Sequence, residues 1–309
     1  MKKKTLLWLQ GLSCNGNSQS LMNAENPPVH EFFSKFELLF HPEITYKKDV
    51  ISVLRQVFYG KKKVDFLVIE GAITTDKKFH RIGEWSIGQI IEKLKEKAKY
   101  IIAAGNCASF GNIPALYSEN PDVKGVQFKF TQKNGFLPPD FKTKSGYPVI
   151  NIPGCPMHPA WFTQTILALL EGKPLLLDKF NRPKELFMYL PHDGCTRNEY
   201  FEWKEEAEEL GHKEGCLFYN FGCRGPMTHA PCNKILWNRV SSKTRVGMPC
   251  IGCTEFDFPL RENFFETKKN MGIPEEVPLG VSKRAYITIT GVAKTLGNQR
   301  VKGKLEDTE

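Results

Sequence analysis

No apolar run in this chain reaches the ~18 residues that a membrane-spanning helix needs, so none of its segments is expected to cross a bilayer. A basic start, Lys2-Lys3-Lys4, is followed only by the short run Leu6-Leu7-Trp8-Leu9, with no small-residue cleavage pattern and no twin-arginine pair. That is too little for a secretory signal, and it leads to the expectation of a cytoplasmic protein. An even cysteine count is missing as well: nine is odd, and a reducing compartment disfavours disulfides. Metal ligation is then the leading explanation for so many thiols. Arginine-rich faces with interleaved aromatics and nucleic-acid motifs are also absent. The net charge of +9 gathers in short runs, Lys2–Lys4, Lys61–Lys63 and Arg300–Lys304, and reads as solvated surface rather than a nucleic-acid site.

What is present is a globular composition, 41% hydrophobic and 25% charged over 309 residues, enough for one large domain or two ordinary ones. The first half alternates strand and helix signals. Strands are predicted at 5–11, 64–72, 100–106 and 147–154, and helices at 29–39, 49–59, 87–98 and 160–172. Strands separated by helices predict an α/β fold with an open parallel sheet. In such sheets ligands bind outside the carboxyl ends of the strands. Beyond about residue 175 the texture changes. Residues 181–190 read as a last strand and 199–212 as a charged helix. From Gly215 to Leu260 there is little periodicity, many glycines and prolines, and five cysteines. A segment this poor in core-forming pattern is expected to be organised by a cofactor. The stretch 282–297 returns to ordered structure, and the last residues read as a loose tail.

The ends of the strands carry the chemistry. The first is followed by Cys14, the second ends at Glu70, the third is followed by Cys107 and the fourth by Cys155. Three thiols and a carboxylate thus converge on one sheet edge, which predicts a shared metal site. Cys14 opens a C-x-x-C spacing whose second position holds an amide, Asn17.

A second group lies downstream: His192 and Cys195 in PHDGC, Cys216 and Cys223 in GCLFYNFGC, Cys232, and Cys250 with Cys253 in PCIGC. Structural zinc closes with four ligands and would leave three of these seven unused. Iron–sulfur clusters use thiolates and occasionally histidine, and glycine-rich loops let backbone N–H groups reach the sulfurs. Six cysteines and one histidine divide into a set of four and a set of three. His192 is favoured by its place in the turn before Cys195; His212 and His229 lack that setting, though His229, close to Cys232, stays an alternative.

The order of these motifs resembles the small, electron-transferring subunit of nickel–iron hydrogenases. The likeness rests on WLQGLSCNGN, EGAI at 70–73, GNCASFGNIP at 105–114, IPGCPMHP at 152–159, PHDGC, GCRGP at 222–226, APCNKILWN, PCIGCTEFDFP at 249–259 and RAYITITGVAK at 284–294. It implies a flavodoxin-like domain over 1–178 and an irregular cluster-binding domain over 179–309. It also implies three iron–sulfur clusters: a proximal one on Cys14, Cys107 and Cys155, a medial one on Cys232, Cys250 and Cys253, and a distal one on His192, Cys195, Cys216 and Cys223. All nine cysteines are then used. Three ligands suit a medial 3Fe–4S cluster and four a distal 4Fe–4S cluster.

The family's fourth proximal ligand is a cysteine where this chain has Asn17. A proximal 4Fe–4S cluster with an oxygen ligand from Asn17 or Glu70 is the expectation; the alternatives are an empty or water-bearing corner, leaving a 3Fe–4S cluster, and a Glu70 that supports the site or a proton path without ligating. The resemblance further implies an obligate large subunit holding a NiFe(CN)2CO centre. It implies electron delivery to an acceptor protein or quinone pathway in the uptake direction, and an assembly of heterodimers that other subunits can tether to a membrane. A hydrogen-sensing relative, or a redox subunit of a different complex, would carry similar clusters.

Overall fold

The computed structural model describes residues 3–260 and 264–296; the basic run at 300–304 lies outside them. Five parallel strands form the main sheet: β1 Lys4–Gln10, β2 Phe36–Phe40, β3 Val64–Glu70, β4 Ala98–Ala104 and β5 Ile150–Ile152. Their order is β2-β1-β3-β4-β5, the flavodoxin-like arrangement. The central strands are near-continuous apolar runs because helices cover both faces. Leu6, Leu7, Trp8 and Leu9 are all fully buried, as are Leu67, Val68 and Ile69.

The connecting helices are α1 Gly16–Met22, α2 Val29–Ser34, α3 Val50–Phe58, α4 Ile87–Leu94, α5 Gly105–Phe110, α6 Asn112–Tyr117 and α7 Pro159–Leu170. Local chemistry sets their starts. Asp49 accepts from the N–H groups of Ile51 and Ser52 ahead of α3. Ser86 and Gln89 form a reciprocal capping box at α4. Pro159 occupies the first position of α7, where no N–H is needed.

The chain divides into two compact units, Met1–Leu186 with Cys253–Leu260, and Phe187–Gly252 with residues 261–309. The first unit runs past residue 178 and takes back residues 253–260. Both features follow from Arg182: its Nε donates to Asp178 Oδ2 at 2.7 Å and its Nη1 to Glu255 Oε1 at 3.3 Å. Asn106 Nδ2 adds a bond to the Glu255 carbonyl at 3.0 Å, and the Phe180 and Phe256 rings lie 4.6 Å apart.

The second unit is mostly irregular. Its elements include α9 Asn198–Trp203 and α10 Lys283–Leu296, preceded at the boundary by a single turn, α8 Lys184–Phe187. Three expectations are corrected here. Residues 36–40 leave the predicted 29–39 helix and form the edge strand β2. The predicted strand at 181–190 is replaced by α8 and a 3-10 turn at Pro191–Gly194. The helix predicted over 199–212 ends at Trp203, because Lys204 adopts a left-handed φ of +61°.

His41, at the end of β2, is fully buried against Trp8, ring centroids 4.8 Å apart. Burial pushes its pKa down to about 4, against a weaker upward pull from Glu70. Between that value and 6.5 the unfolded chain takes up a proton that the folded chain refuses. The associated stability is complete above the upper value and is lost as pH falls toward the lower one, about 3 kcal/mol in all. His41→Leu is expected to flatten the fall in urea midpoint between pH 7 and pH 5; parallel falls in variant and parent would contradict this.

Candidate functional site

In the first unit the sheet delivers its thiols as the strand ends require. Cys14 follows β1, Cys107 lies in the first turn of α5 directly after β4, and Cys155 follows β5. Cys14 is exposed and the other two are half-buried. Burial, then the nearby Cys155 and Cys14 thiols, push Cys107 up to about 12. Three thiolates gathered this way repel one another unless a cation holds them, as a metal centre does.

The two oxygen donors beside them are differently engaged. Glu70 is fully buried. Its Oε1 accepts from the Asn17 N–H at 2.9 Å and the Ser18 N–H at 3.3 Å. Its Oε2 accepts from Ser18 Oγ at 2.6 Å, Trp8 Nε1 at 3.1 Å and Gln10 Nε2 at 3.2 Å. The carboxylate therefore anchors the first turn of α1 and fixes the loop that carries Cys14. Asn17 Oδ1 accepts one bond, from the Met157 N–H at 2.9 Å. The Asn17 amide lies where Gly105, at φ +83°, leaves room: a Cβ there would collide with it.

In the second unit His192, Cys195, Cys216 and Cys223 line one pocket of about 320 Å³, solvent at its mouth included, closed by Leu217, Phe218 and Pro226. Burial lowers the pKa of His192, which favours the neutral imidazole that ligates metals. Burial also pushes the Cys216 and Cys223 thiols up to about 12. Backbone N–H groups reach the sulfurs: Arg197 donates to Cys195 Sγ at 3.4 Å and Cys250 to Cys223 Sγ at 3.3 Å. This donor pattern is the one that iron–sulfur clusters use.

The sequence alone did not reveal Arg197. Its buried guanidinium donates to the carbonyls of Glu214 at 2.9 Å, Gly215 at 2.7 Å, Thr244 at 3.0 Å and His212. It thereby ties the Cys216 loop to the turn carrying Cys195. Its charge, with that of Lys204, draws the Cys216 thiol down against the effect of burial. Two residues after a cysteine, an arginine gives no signal of its own; only the fold shows its partners.

Of the remaining set, Cys232 and Cys250 belong to the second unit and Cys253 to the first. Cys250 Sγ lies 3.7 Å from Thr228 Oγ1. Among the described residues no three His, Cys, Asp or Glu side chains close around a point one ion could occupy. A mononuclear zinc site would need its ligands at ~2.0–2.3 Å from the metal.

The same constellation has relatives. Residues 187–266 match the C-terminal family model of the NiFe/NiFeSe hydrogenase small subunit. Residues 14–169 match one described as NADH ubiquinone oxidoreductase, 20 Kd subunit. The F420 non-reducing hydrogenase II small subunit of Methanosarcina mazei is 32% identical over 286 residues, covering 82% of this chain and 73% of that protein. The periplasmic NiFeSe hydrogenase small subunit of Desulfomicrobium baculatum is 31% identical over 280 residues, covering 84% and 85%. Among solved structures, recombinant NiFeSe hydrogenase from Desulfovibrio vulgaris Hildenborough aligns with a TM-score of 0.74 at 30% identity, over 86% of this chain and 98% of that one. The actinobacterial-type NiFe-hydrogenase from Ralstonia eutropha H16 aligns with a TM-score of 0.78 at 26% identity, over 100% and 91%. The match over the first unit alone would leave a subunit of another redox complex open; the match over the irregular second unit decides between them. This chain belongs to the small subunits of nickel–iron hydrogenases.

Proposed function

We propose that the chain is the electron relay of a hydrogen-oxidising heterodimer, with three iron–sulfur clusters between a catalytic large subunit and an external acceptor. The observation that carries this is the pocket lined jointly by His192, Cys195, Cys216 and Cys223, four donors of the right kind around one cavity. When bound, such clusters take up and release single electrons. The distal set would hold 4Fe–4S and Cys232, Cys250 and Cys253 a medial 3Fe–4S. Cys14, Cys107 and Cys155 would hold a proximal 4Fe–4S whose last ligand is oxygen. Of the two oxygen donors Asn17 is favoured, since Glu70 already accepts five hydrogen bonds and Asn17 Oδ1 accepts one.

The bond chemistry on hydrogen belongs, in this proposal, to the NiFe(CN)2CO centre of the large subunit. That subunit would cover the strand-end face carrying the exposed Cys14 in a large, obligate interface. Imidazole in place of a thiolate at the distal set, and an amide in place of one at the proximal set, both make the clusters less negative, which favours uptake. The acceptor would be a redox protein or a quinone pathway. No helix among the described residues is long and apolar enough to cross a membrane. Cytoplasmic placement, with any membrane association through other subunits and with heterodimers joined into larger assemblies, is part of the proposal. A relative named as periplasmic makes cell fractionation its test.

Anaerobic purification with the large subunit is expected to yield a brown complex. Beyond the single iron of the NiFe centre, its iron and acid-labile sulfide should fit two 4Fe–4S clusters and one 3Fe–4S cluster, with their electron-spin signals changing under hydrogen. A complex holding zinc or no metal overturns the proposal.

A further inference from the structure

One buried amide beside the first thiol set makes no aligned hydrogen bond within the polypeptide. Asn112 opens α6, is fully buried and adopts a left-handed φ of +47°. It follows Gly111 at φ +88°, whose N–H donates to the Cys107 carbonyl at 2.9 Å. This reversal folds the chain back over the first turn of α5 and sets the Asn112 amide against the Cys107 sulfur. Among the described residues Asn112 is the one asparagine or glutamine with both amide atoms buried and without an aligned hydrogen-bond partner. Leaving such groups unpaired costs about 1–3 kcal/mol each, and asparagine is among the few residues that tolerate a left-handed backbone at all. Both costs fall at one position, next to a ligand thiol that faces the amide in its bare form. A metal-bound thiolate is a better acceptor than a bare thiol, because it carries charge.

We infer that Asn112 is a positioning and tuning residue of the proximal cluster: its Nδ2–H donates to the Cys107 sulfur and raises the cluster's reduction potential. The inference rests on the cluster reading above and adds to it a residue outside the ligand set. The direction follows from charge. Reduction adds one negative charge to the cluster, so a donor dipole aimed at its sulfur stabilises the reduced form more than the oxidised one. The two nearby side-chain oxygens cannot take this role, since an acceptor offers the sulfur no proton. Glu70 is occupied by five donors, and the one acceptor bond of the Asn17 oxygen goes to Met157.

The test is a redox titration of the anaerobic heterodimer, followed by electron-spin resonance. The proximal signal is assigned by its absence from a Cys107→Ala variant. Asn112→Gly keeps the backbone at φ +47° unstrained and removes the amide. Asn112→Asp keeps the size but replaces the N–H donor with an acceptor. The expected order of proximal potentials is parent, then Gly, then Asp. At the parent's midpoint poise the reduced-to-oxidised ratio should fall about tenfold in the Gly variant, or 59 mV for a one-electron couple, and further in the Asp variant. Medial and distal midpoints should stay in place. Equal proximal potentials, or an order other than this, overturn the inference. So does loss of the cluster from both variants, which would make Asn112 a packing residue. A parent holding no iron at Cys14, Cys107 and Cys155 instead brings down the cluster reading itself, and the two failures are told apart by the parent's iron content alone.

Discussion

Glu70→Gln is expected to lower stability by about 3 kcal/mol, since buried donors stripped of an acceptor each cost ~1–3 kcal/mol. Five donors meet this carboxylate, three at Oε2 and two at Oε1. An amide in its place keeps the volume but turns one end into a donor facing donors, so either orientation breaks at least two bonds and adds repulsion. The anaerobic thermal midpoint should fall by roughly 6–12 °C, from ~2–4 °C per kcal/mol for a unit of this size. The effect should also reach the metal. Asn17 and Ser18 give their N–H groups to Glu70 in the first turn of α1, directly after Cys14. With that anchor loosened, proximal iron is expected to fall while distal iron holds. A Glu70→Gln complex with parental midpoint and full iron would show that the carboxylate carries no structural load.

Arg182→Met is the second large effect. The guanidinium is 2% exposed and is bonded to Asp178 and to Glu255, itself 4% exposed. Removing it takes a buried cation away from the Glu255 carboxylate, and breaking a buried ion pair on one side is expected to cost about 3–5 kcal/mol. Glu255 lies in the 253–260 segment that Arg182 ties into the first unit. The variant should therefore lose iron from the set that includes Cys253 as well as stability. The double variant Arg182→Met/Glu255→Met separates the causes. Replacing a buried pair by apolar groups of similar volume is often nearly neutral, so the double variant should recover much of the thermal midpoint lost by the single one. A double variant as unstable as the single would place the cost in packing rather than in the broken ion pair.

Much of the first unit was legible because its strands are continuous apolar runs, a pattern that a parallel sheet covered on both faces demands. Leu6–Leu9 and Leu67–Ile69 are fully buried in β1 and β3. The helix starts were legible where a capping residue or proline marked them, as at Asp49, Ser86 and Pro159. β2 was not, because FELLF is short, and a short apolar run fits helix or strand equally until its neighbour is known; pairing with β1 made it a strand. In the second unit the left-handed Lys204 stops α9, against a helical pattern that continues in the sequence. Its ammonium lies over the rings of Phe201 and Tyr286, a long-range contact that no local pattern encodes.

By itself the sequence determined the parallel α/β unit and the position of a thiol after each of three strands, because these follow from periodicity and spacing along the chain; the grouping of His192 with Cys195, Cys216 and Cys223 came from the family resemblance. Tertiary structure alone decided what Glu70, Arg182, Arg197 and Asn112 do. Each is a buried polar group whose energy depends on which donors or acceptors stand within ~3 Å of it. Most of those partners come from residues tens of positions away, and for Asn112 the partner is a sulfur whose charge depends on what it binds.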